Sequence, residues 1–229
     1  MTHIIAHRGA SRERLENTLA AFQRAIDLGA DAVELDVHVS ADGTVIVHHD
    51  PVLRGGSAGE RVAAAPIATM TTAEVASFPL RDGSAAPTLA EVVALLGTGP
   101  TVYCELKGLG TARPALDVLR HSGIRCAVHS FDHRMVAEAA SHAPEIARGV
   151  LEVSRHVDAA STPRAVLARD LWQLVEYIDE SLIREVHAGG GRVIAWTVND
   201  PALVERLAAW GVDGLCSDDV PMVRRVLGR

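Results

Sequence analysis

The sequence predicts an α/β fold in which eight strands alternate with eight helices and close into a (β/α)8 barrel, the TIM-barrel architecture. Short apolar runs begin near residues 3, 32, 101, 125, 146, 171, 192 and 212, and a helical pattern follows each. Regular alternation implies a parallel sheet with right-handed crossovers. The 229 residues suffice for a barrel, which typically takes about 250. An open doubly wound sheet usually has fewer units, and no Gly-x-Gly-x-x-Gly follows the first strand.

The strands are recognised as apolar runs bounded by glycine or polar residues. We expect one barrel domain over residues 1–229, with an additional short strand at Thr44–His48. In chain order, the eight barrel strands are predicted at Ile4–Ala6, Ala32–Ser40, Thr101–Lys107, Arg125–Ser130, Ile146–Leu151, Leu171–Val175, Arg192–Val198 and Val212–Cys216.

The helices are recognised by apolar residues at helical spacing that follow a capping side chain. The first ends at Gly29, where a glycine commonly terminates a helix. Others are predicted over Ala112–His121 and Ser161–Ala168. The predicted caps and first residues of the remaining helices are Asn17 or Thr18, Thr88, Asp132, Asp179 or Ser181, the pair Asp200 and Pro201, and Pro221.

Residues 51–87 interrupt the alternation of strands and helices after the second strand. They contain Gly55, Gly56 and Gly59, together with prolines at positions 51, 66, 79 and 87. About 37 residues are too few for an independent core. We therefore interpret them as a small insertion within the barrel domain.

Composition excludes several classes of function. The net charge of −7, without a basic block, argues against nucleic acid as a partner. The amino terminus lacks the apolar run of a signal peptide, and no segment approaches the ~18 apolar residues that span a bilayer. Three scattered cysteines, Cys104, Cys126 and Cys216, fit buried free thiols. We expect a cytoplasmic protein without a stable membrane anchor.

The second strand places two carboxylates side by side. Successive side chains in a strand point to opposite faces, so Glu34, Asp36 and His38 share one face. Paired carboxylates resist burial unless a cation compensates them. A divalent cation would do so. His38, in phase with Glu34 and Asp36, could support the site from behind these ligands, but we expect a solvated loop histidine beyond the strand end.

More reactive residues collect at the carboxyl ends of other strands, where barrel active sites lie. Glu105 and Lys107 share a face at the end of the third strand, and Glu105 adds a third carboxylate to the pair. Three carboxylates suit Mg²⁺ or Ca²⁺ better than zinc. Arg8 and Lys107 then favour an anionic substrate, and phosphate fits best.

Histidines supply the remaining chemistry. His7 follows the first strand and His49 the short additional strand, and both can serve as general acid or base near neutral pH. His129, at the end of the fourth strand, fits pocket and packing equally well. The combination predicts metal-assisted phosphoryl hydrolysis.

These residues occur in motifs that cover nearly the whole chain in order. The motifs include His7-Arg8-Gly9, Glu16-Asn17-Thr18, Glu34-x-Asp36, His49-Asp50, Pro87-Thr88-Leu89, Glu105-Leu106-Lys107, Ser130-Phe131, Trp196-Thr197-Val198-Asn199 and Gly211-Val212-Asp213-Gly214. Together they resemble the glycerophosphodiester phosphodiesterases. One departure is visible at Gly55-Gly56, where members often carry a threonine pair.

The resemblance implies a barrel with an insertion after the second strand, and hydrolysis of small glycerophosphodiesters to glycerol 3-phosphate and an alcohol with Ca²⁺ or Mg²⁺. Carried onto this chain, it implies five groups of site residues. Glu34, Asp36 and Glu105 are implied as metal ligands, His7 and His49 as the acid–base pair, Arg8 and Lys107 as phosphate contacts, Phe131 and Trp196 as pocket residues, and Glu16 as a supporting acid.

Three questions stay open at the level of sequence. The nucleophile is water or the substrate's own glycerol 2-hydroxyl. One alternative function is a lysophospholipase D-like activity on single-chain lipids, which the lack of an amphipathic anchor or a Lys/Arg-rich face disfavours. The other is a non-catalytic module that binds a phosphate ligand, which the presence of every proposed acid, base and ligand disfavours.

Overall fold

The computed structural model describes residues 1–54 and 65–229. The glycines at positions 55, 56 and 59 lie outside the described residues. The described strands are β1 (His3–Ala6), β2 (Ala32–Val39), β3 (Val45–Val47), β4 (Val52–Leu53), β5 (Ala65–Pro66), β6 (Thr101–Leu106), β7 (Cys126–Ser130), β8 (Ala147–Glu152), β9 (Asp170–Leu174), β10 (Arg192–Trp196) and β11 (Gly214–Ser217). The described helices are α1 (Leu19–Asp27), α2 (Thr72–Ser77), α3 (Leu89–Leu96), α4 (Ala112–Ser122), α5 (His133–His142), α6 (Ser161–Ala165), α7 (Glu180–Ala188), α8 (Pro201–Ala209) and α9 (Val220–Val226).

Eight of the strands form a closed parallel ring, which confirms the predicted barrel. Around the ring the order is β1, β2, β6, β7, β8, β9, β10 and β11, and β1 pairs with both β2 and β11. The register Ile5↔Cys216 joins the first strand to the last. β3 lies outside the ring and pairs antiparallel with β2.

The two faces of each strand supply two separate cores. In β2, Val33, Leu35 and Val37 point outward into the layer between strands and helices, as the alternation predicts. Each apolar side chain fully buried there contributes about 1.5–3 kcal/mol. The inner core takes one residue from each ring strand: Ile5, Ala32, Tyr103, Ala127, Leu151, Trp172, Ile194 and Cys216.

The predicted caps begin most of the helices. Thr18 accepts a hydrogen bond from the Ala21 amide at 3.2 Å and so selects Thr18 over Asn17 as the cap of α1. Asp179, rather than Ser181, caps α7 in the same way. Among the described residues, no helix has both the length and the apolar character that crossing a membrane requires.

Three helix boundaries differ from expectation. α4 ends at Ser122, one residue after His121. α6 ends at Ala165 instead of continuing to Ala168, because Leu167 adopts a left-handed backbone conformation with φ of 53°. α9 begins at Val220, one residue before Pro221, because the side chain of Asp219 accepts from the Met222 amide and caps it there.

The described part of residues 51–87 packs beside the barrel. β4 and β5 pair antiparallel, and α2 begins with a capping box formed by Thr71 and Glu74. Leu53, Ile67 and their neighbours bury a small apolar cluster against Ile46 of β3. The interpretation of this segment as an insertion within one domain remains a prediction.

Candidate active site

The site is formed by the layer of inward-facing side chains next to the inner core, at the carboxyl ends of the ring strands. Side chains of a strand return to the same face every second residue, so the residue two positions after each inner-core residue also points inward. At the carboxyl ends of six ring strands, these positions are His7, Glu34, Glu105, His129, Trp196 and Asp218.

These ends surround a pocket of about 240 Å³. Every predicted site residue except Glu16 and Asp36 contributes to its lining. The lining residues are His7, Arg8, Glu34, His49, Glu105, Lys107, His129, Phe131, Leu151, Trp172, Trp196 and Cys216. A larger, mostly apolar groove of about 640 Å³ lies between α1, α2 and α3 and contains none of the predicted residues.

His7 is held by a carboxylate that sequence reasoning missed. Its Nδ1 lies 2.7 Å from Oδ1 of Asp218, which also accepts from the Ser11 hydroxyl at 3.0 Å. The second oxygen of Asp218 accepts from the side-chain amide of Asn199 at 2.6 Å. Because an ionised carboxylate can only accept, Nδ1 of His7 carries the proton and Nε2 is left free for the pocket.

The pair perturbs the pKa of both members. Burial opposes ionisation of Asp218, but the bonds from His7, Asn199 and Ser11 bring its pKa down from 3.8 to about 2. Burial likewise works against a charged His7, but the hydrogen bond to Asp218 and the negative charges of Glu34 and Asp218 together outweigh it, so the pKa of His7 is raised.

His49 reaches the same pocket from the segment after β3. Its Nδ1 lies 2.8 Å from Oδ1 of Asp50, and its backbone oxygen lies 3.0 Å from Nε2 of His38. His48 is absent from the pocket lining, and its Nδ1 donates to the Asp50 carbonyl at 2.9 Å. His7 and His49 therefore share one arrangement, with Nδ1 bonded to a carboxylate.

The expectation that His38 is a solvated loop residue was wrong. β2 continues to Val39, so His38 is still a strand residue with an inward side chain, and only 8% of it is exposed.

Arg8 and Lys107 are fixed by a shared buried carboxylate. Nε of Arg8 lies 3.2 Å from Oδ2 of Asp36, and Nζ of Lys107 lies 3.4 Å from Oδ1. The side-chain amide of Asn17 donates to Oδ2 of Asp36 at 2.8 Å. Burial disfavours the charge on Asp36, but the two cations prevail and lower its pKa to about 2.

Each cation also has a second acid. Glu16 accepts from Nη1 of Arg8 at 2.9 Å, and Glu105 lies 2.9 Å from Nζ of Lys107. Arg8 has a left-handed backbone, with φ of 56°, which is rare outside glycine and is typical of functional sites. Glu16 thus lies outside the pocket lining and orients Arg8.

Three groups could together hold a cation: Glu34, Glu105 and His129 offer ligand atoms that all lie within 4.8 Å of one another. Burial and the neighbouring carboxylates raise the pKa of Glu105 to about 8. Asp36 is outside this group, although its Oδ1 is buried without a hydrogen-bond partner. Two buried carboxylates with a further unpartnered oxygen nearby fit a hard dication.

Aromatic side chains shape the floor and the mouth of the pocket. His129 stacks on Trp172 with ring centroids 4.1 Å apart. Gly149 leaves room for that indole, since a Cβ there would lie 2.8 Å from Cδ1 of Trp172. At the mouth, Phe131 meets Trp196 edge to face at 5.5 Å.

The fold and the site define a class of protein: a (β/α)8-barrel enzyme whose pocket combines imidazoles, cations and buried carboxylates. Residues 7–222 match the Glycerophosphoryl diester phosphodiesterase family. The chain therefore belongs to that family.

Similar proteins agree with this assignment. The glycerophosphodiester phosphodiesterase of Caldanaerobacter subterraneus subsp. tengcongensis is 30% identical over 233 residues, which cover 95% of this chain and 94% of the relative. The structure of an Oleispira antarctica phosphodiesterase in complex with the product sn-glycerol-3-phosphate has a TM-score of 0.90 at 25% identity, covering 100% of this chain and 98% of that one. Human lysophospholipase D is 52% identical over 50 residues, which cover 22% of this chain and 16% of the relative.

Proposed function

We propose that the protein hydrolyses glycerophosphodiesters to glycerol 3-phosphate and an alcohol. The observation that carries the proposal is the meeting of His7 and His49 with Arg8 and Lys107 in one pocket. Two cations suit the single negative charge of a phosphodiester and the greater charge of its transition state. The relatives named for this activity, and the neighbour that binds sn-glycerol-3-phosphate, support the same substrate class.

The two imidazoles divide the proton transfers. One takes the proton from the attacking oxygen as that oxygen bonds to phosphorus, and the other gives a proton to the departing alcohol oxygen as its bond to phosphorus breaks. The hydrogen bonds from Nδ1 to Asp218 and to Asp50 leave each Nε2 for this work. A substrate without the glycerol 2-hydroxyl distinguishes the two nucleophiles: it is hydrolysed if water attacks and resists hydrolysis if the hydroxyl attacks.

We further propose that Glu34, Asp36 and Glu105 hold Mg²⁺ or Ca²⁺, with His129 within reach of the same position. When bound, a divalent cation supplies positive charge at the phosphate oxygens. Among the described residues, the buried Oδ1 of Asp36 accepts no hydrogen bond and faces the Lys107 ammonium at 3.4 Å, which supports its inclusion. The ion pairs with Arg8 and Lys107 give Asp36 a second role as their counter-ion.

The test is release of glycerol 3-phosphate from glycerophosphocholine, with and without a chelator. We expect release that the chelator abolishes and Mg²⁺ or Ca²⁺ restores, and a loss of orders of magnitude in turnover for His7→Ala and for His49→Ala. Binding of glycerol 3-phosphate without any turnover would instead identify a phosphate-ligand binding module.

One observation favours lysophospholipids as a second substrate class. Exposed apolar side chains occur after four successive ring strands, from β6 to β9, on the face that carries the pocket mouth: Leu109, Phe131, Val153, Val157 and Tyr177. Exposed apolar residues on their own need no explanation, and we propose that these five, beside the pocket mouth, form an apolar rim that binds lipid. An alkyl chain that leaves the pocket past Phe131 would meet this rim.

Comparison of glycerophosphocholine with lysophosphatidylcholine tests this second function. If the rim holds an alkyl chain, the double variant Leu109→Ser, Val157→Ser lowers kcat/KM for lysophosphatidylcholine and leaves that for glycerophosphocholine unchanged. Leu95→Ser, on α3 and away from the mouth, is the matched control. Equal effects on both substrates would contradict the proposal that these apolar side chains bind the alkyl chain of a lysophospholipid.

A further inference from the structure

His49 lies beyond the last residue pair of the β2–β3 ladder, so the sheet does not hold it in place. The antiparallel ladder between β2 and β3 closes with the pair Val37↔Val47, and His49 is two residues further on. From there the chain continues through Pro51 into β4, which pairs with β5 and not with the ring. The backbone of His49 therefore has no ladder partner among the described strands.

The carboxylate that bonds to His49 cannot fix it to the barrel. Asp50 is its neighbour in the chain, so the pair moves with one backbone, and the Asp50 side chain is 48% exposed. His7 differs, because its partner Asp218 follows β11 and is held in turn by Ser11 and Asn199. His49 needs a different connection to the ring.

Two hydrogen bonds supply that connection, and both join this segment to β2. The His48 amide donates to the Asp36 carbonyl at 3.0 Å. The buried ring of His38 then reaches the His49 carbonyl, with Nε2 at 3.0 Å. A carbonyl oxygen can only accept, so Nε2 of His38 carries a proton and donates it.

The His38 ring is buried beside the chain that follows β6. Gly108, after β6, lies beside it: a Cβ there would be 3.7 Å from Nδ1 of His38. The His38 side chain is buried on a strand and donates to a single carbonyl, so the ring is a rigid donor.

We propose that His38 is a positioning residue that fixes the backbone of His49 to strand β2, and so holds the His49 imidazole at the pocket in register with Glu34 and Asp36. The proposal rests on the acid–base role proposed above for His49. It makes β2 the common support of the carboxylates and of one of the two histidines. Loss of the donor releases the segment that carries His49, and displacement of a reacting group by about 1 Å costs about 100-fold in rate.

The experiment compares two variants whose substituted side chains are similar in length to that of histidine. His38→Gln retains an N–H donor near the position of Nε2, whereas His38→Met has none. We expect His38→Met to lower kcat for glycerophosphocholine by about 10- to 100-fold with KM within about 2-fold, because Arg8 and Lys107 are untouched. We expect His38→Gln to restore most of that loss. His121→Met is the control, since His121 also bonds to a backbone carbonyl, that of Asp117, but on exposed α4.

A second test covers the case in which His38→Met fails to fold. In His38→Ala, assayed at a pH where both added imidazoles are neutral, imidazole in the buffer should restore turnover, whereas 1-methylimidazole, which then has no N–H, should not. The proposal is overturned if folded His38→Met has the kcat of the wild type. It is also overturned if His38→Met and His38→Gln lose equal activity, or if the two imidazoles rescue His38→Ala equally. An inactive wild-type protein would instead overturn the proposed function, which separates the two failures.

Discussion

Replacement of Asp218 by Asn tests the acid–base site most directly. The substitution retains the shape of the side chain and removes the charge that faces Nδ1 of His7 at 2.7 Å. The amide can present its NH₂ group to the ring and stabilise the wrong tautomer, with the proton on Nε2. We expect kcat to fall about 100-fold or more, as is typical when a histidine loses the aspartate that orients it.

The effect on stability follows from the pKa of Asp218. A pKa that falls from 3.8 to about 2 corresponds to about 2 kcal/mol at 1.36 kcal/mol per unit, and solvent at a carboxylate 33% exposed reduces this to about 1 kcal/mol. Because the folded pKa is depressed, this stabilisation is present above pH 3.8 and is lost as the pH falls towards 2. The variant should therefore unfold at lower urea concentration at pH 7, and should differ less from the wild type near pH 2.

The assay is glycerol 3-phosphate release as a function of pH. Asp218 raises the pKa of His7, so its removal should move the limb of the pH–rate profile that His7 controls to lower pH. Asp117→Asn is the matched control, since Asp117 pairs with His142 at 3.0 Å on the outside of the barrel. A folded Asp218→Asn enzyme with wild-type kcat and an unmoved limb would refute the assignment of His7.

Three further substitutions test other parts of the molecule. Glu34→Gln should raise the Mg²⁺ or Ca²⁺ concentration for half-maximal activity at least ~10-fold, and unchanged activation across a metal titration would count against a ligand role. Lys107→Met should lower kcat at least ~100-fold and weaken calorimetric binding of glycerol 3-phosphate, because phosphate loses one of its two cations; unchanged binding would exclude the contact. Gly9→Ala should lower the free energy of unfolding by about 1–3 kcal/mol in urea titrations, because Gly9 has φ of 81° and a Cβ there would lie 2.8 Å from the Ala21 backbone; an unchanged midpoint would contradict this.

The sequence by itself determined the barrel and the face on which its reactive residues lie. The alternation in β2 placed Glu34 and Asp36 inward and Val33 and Leu35 outward, and the structure has the same arrangement. Such a pattern is local, because the period of a strand follows from backbone geometry alone. The repetition of strand and helix then placed most of the predicted site residues at one end of the barrel.

Only the tertiary structure decided which of these residues meet. His7 and Asp218 are 211 positions apart and become partners because β1 pairs with β11 when the ring closes. His129 joins Glu34 and Glu105 because β7 lies next to β6, which pairs with β2. A local pattern determines on which face of a strand, and at which end, a side chain lies. Its neighbours on other strands depend on the order and register of the strands in the ring. Packing of the whole chain determines that order and register.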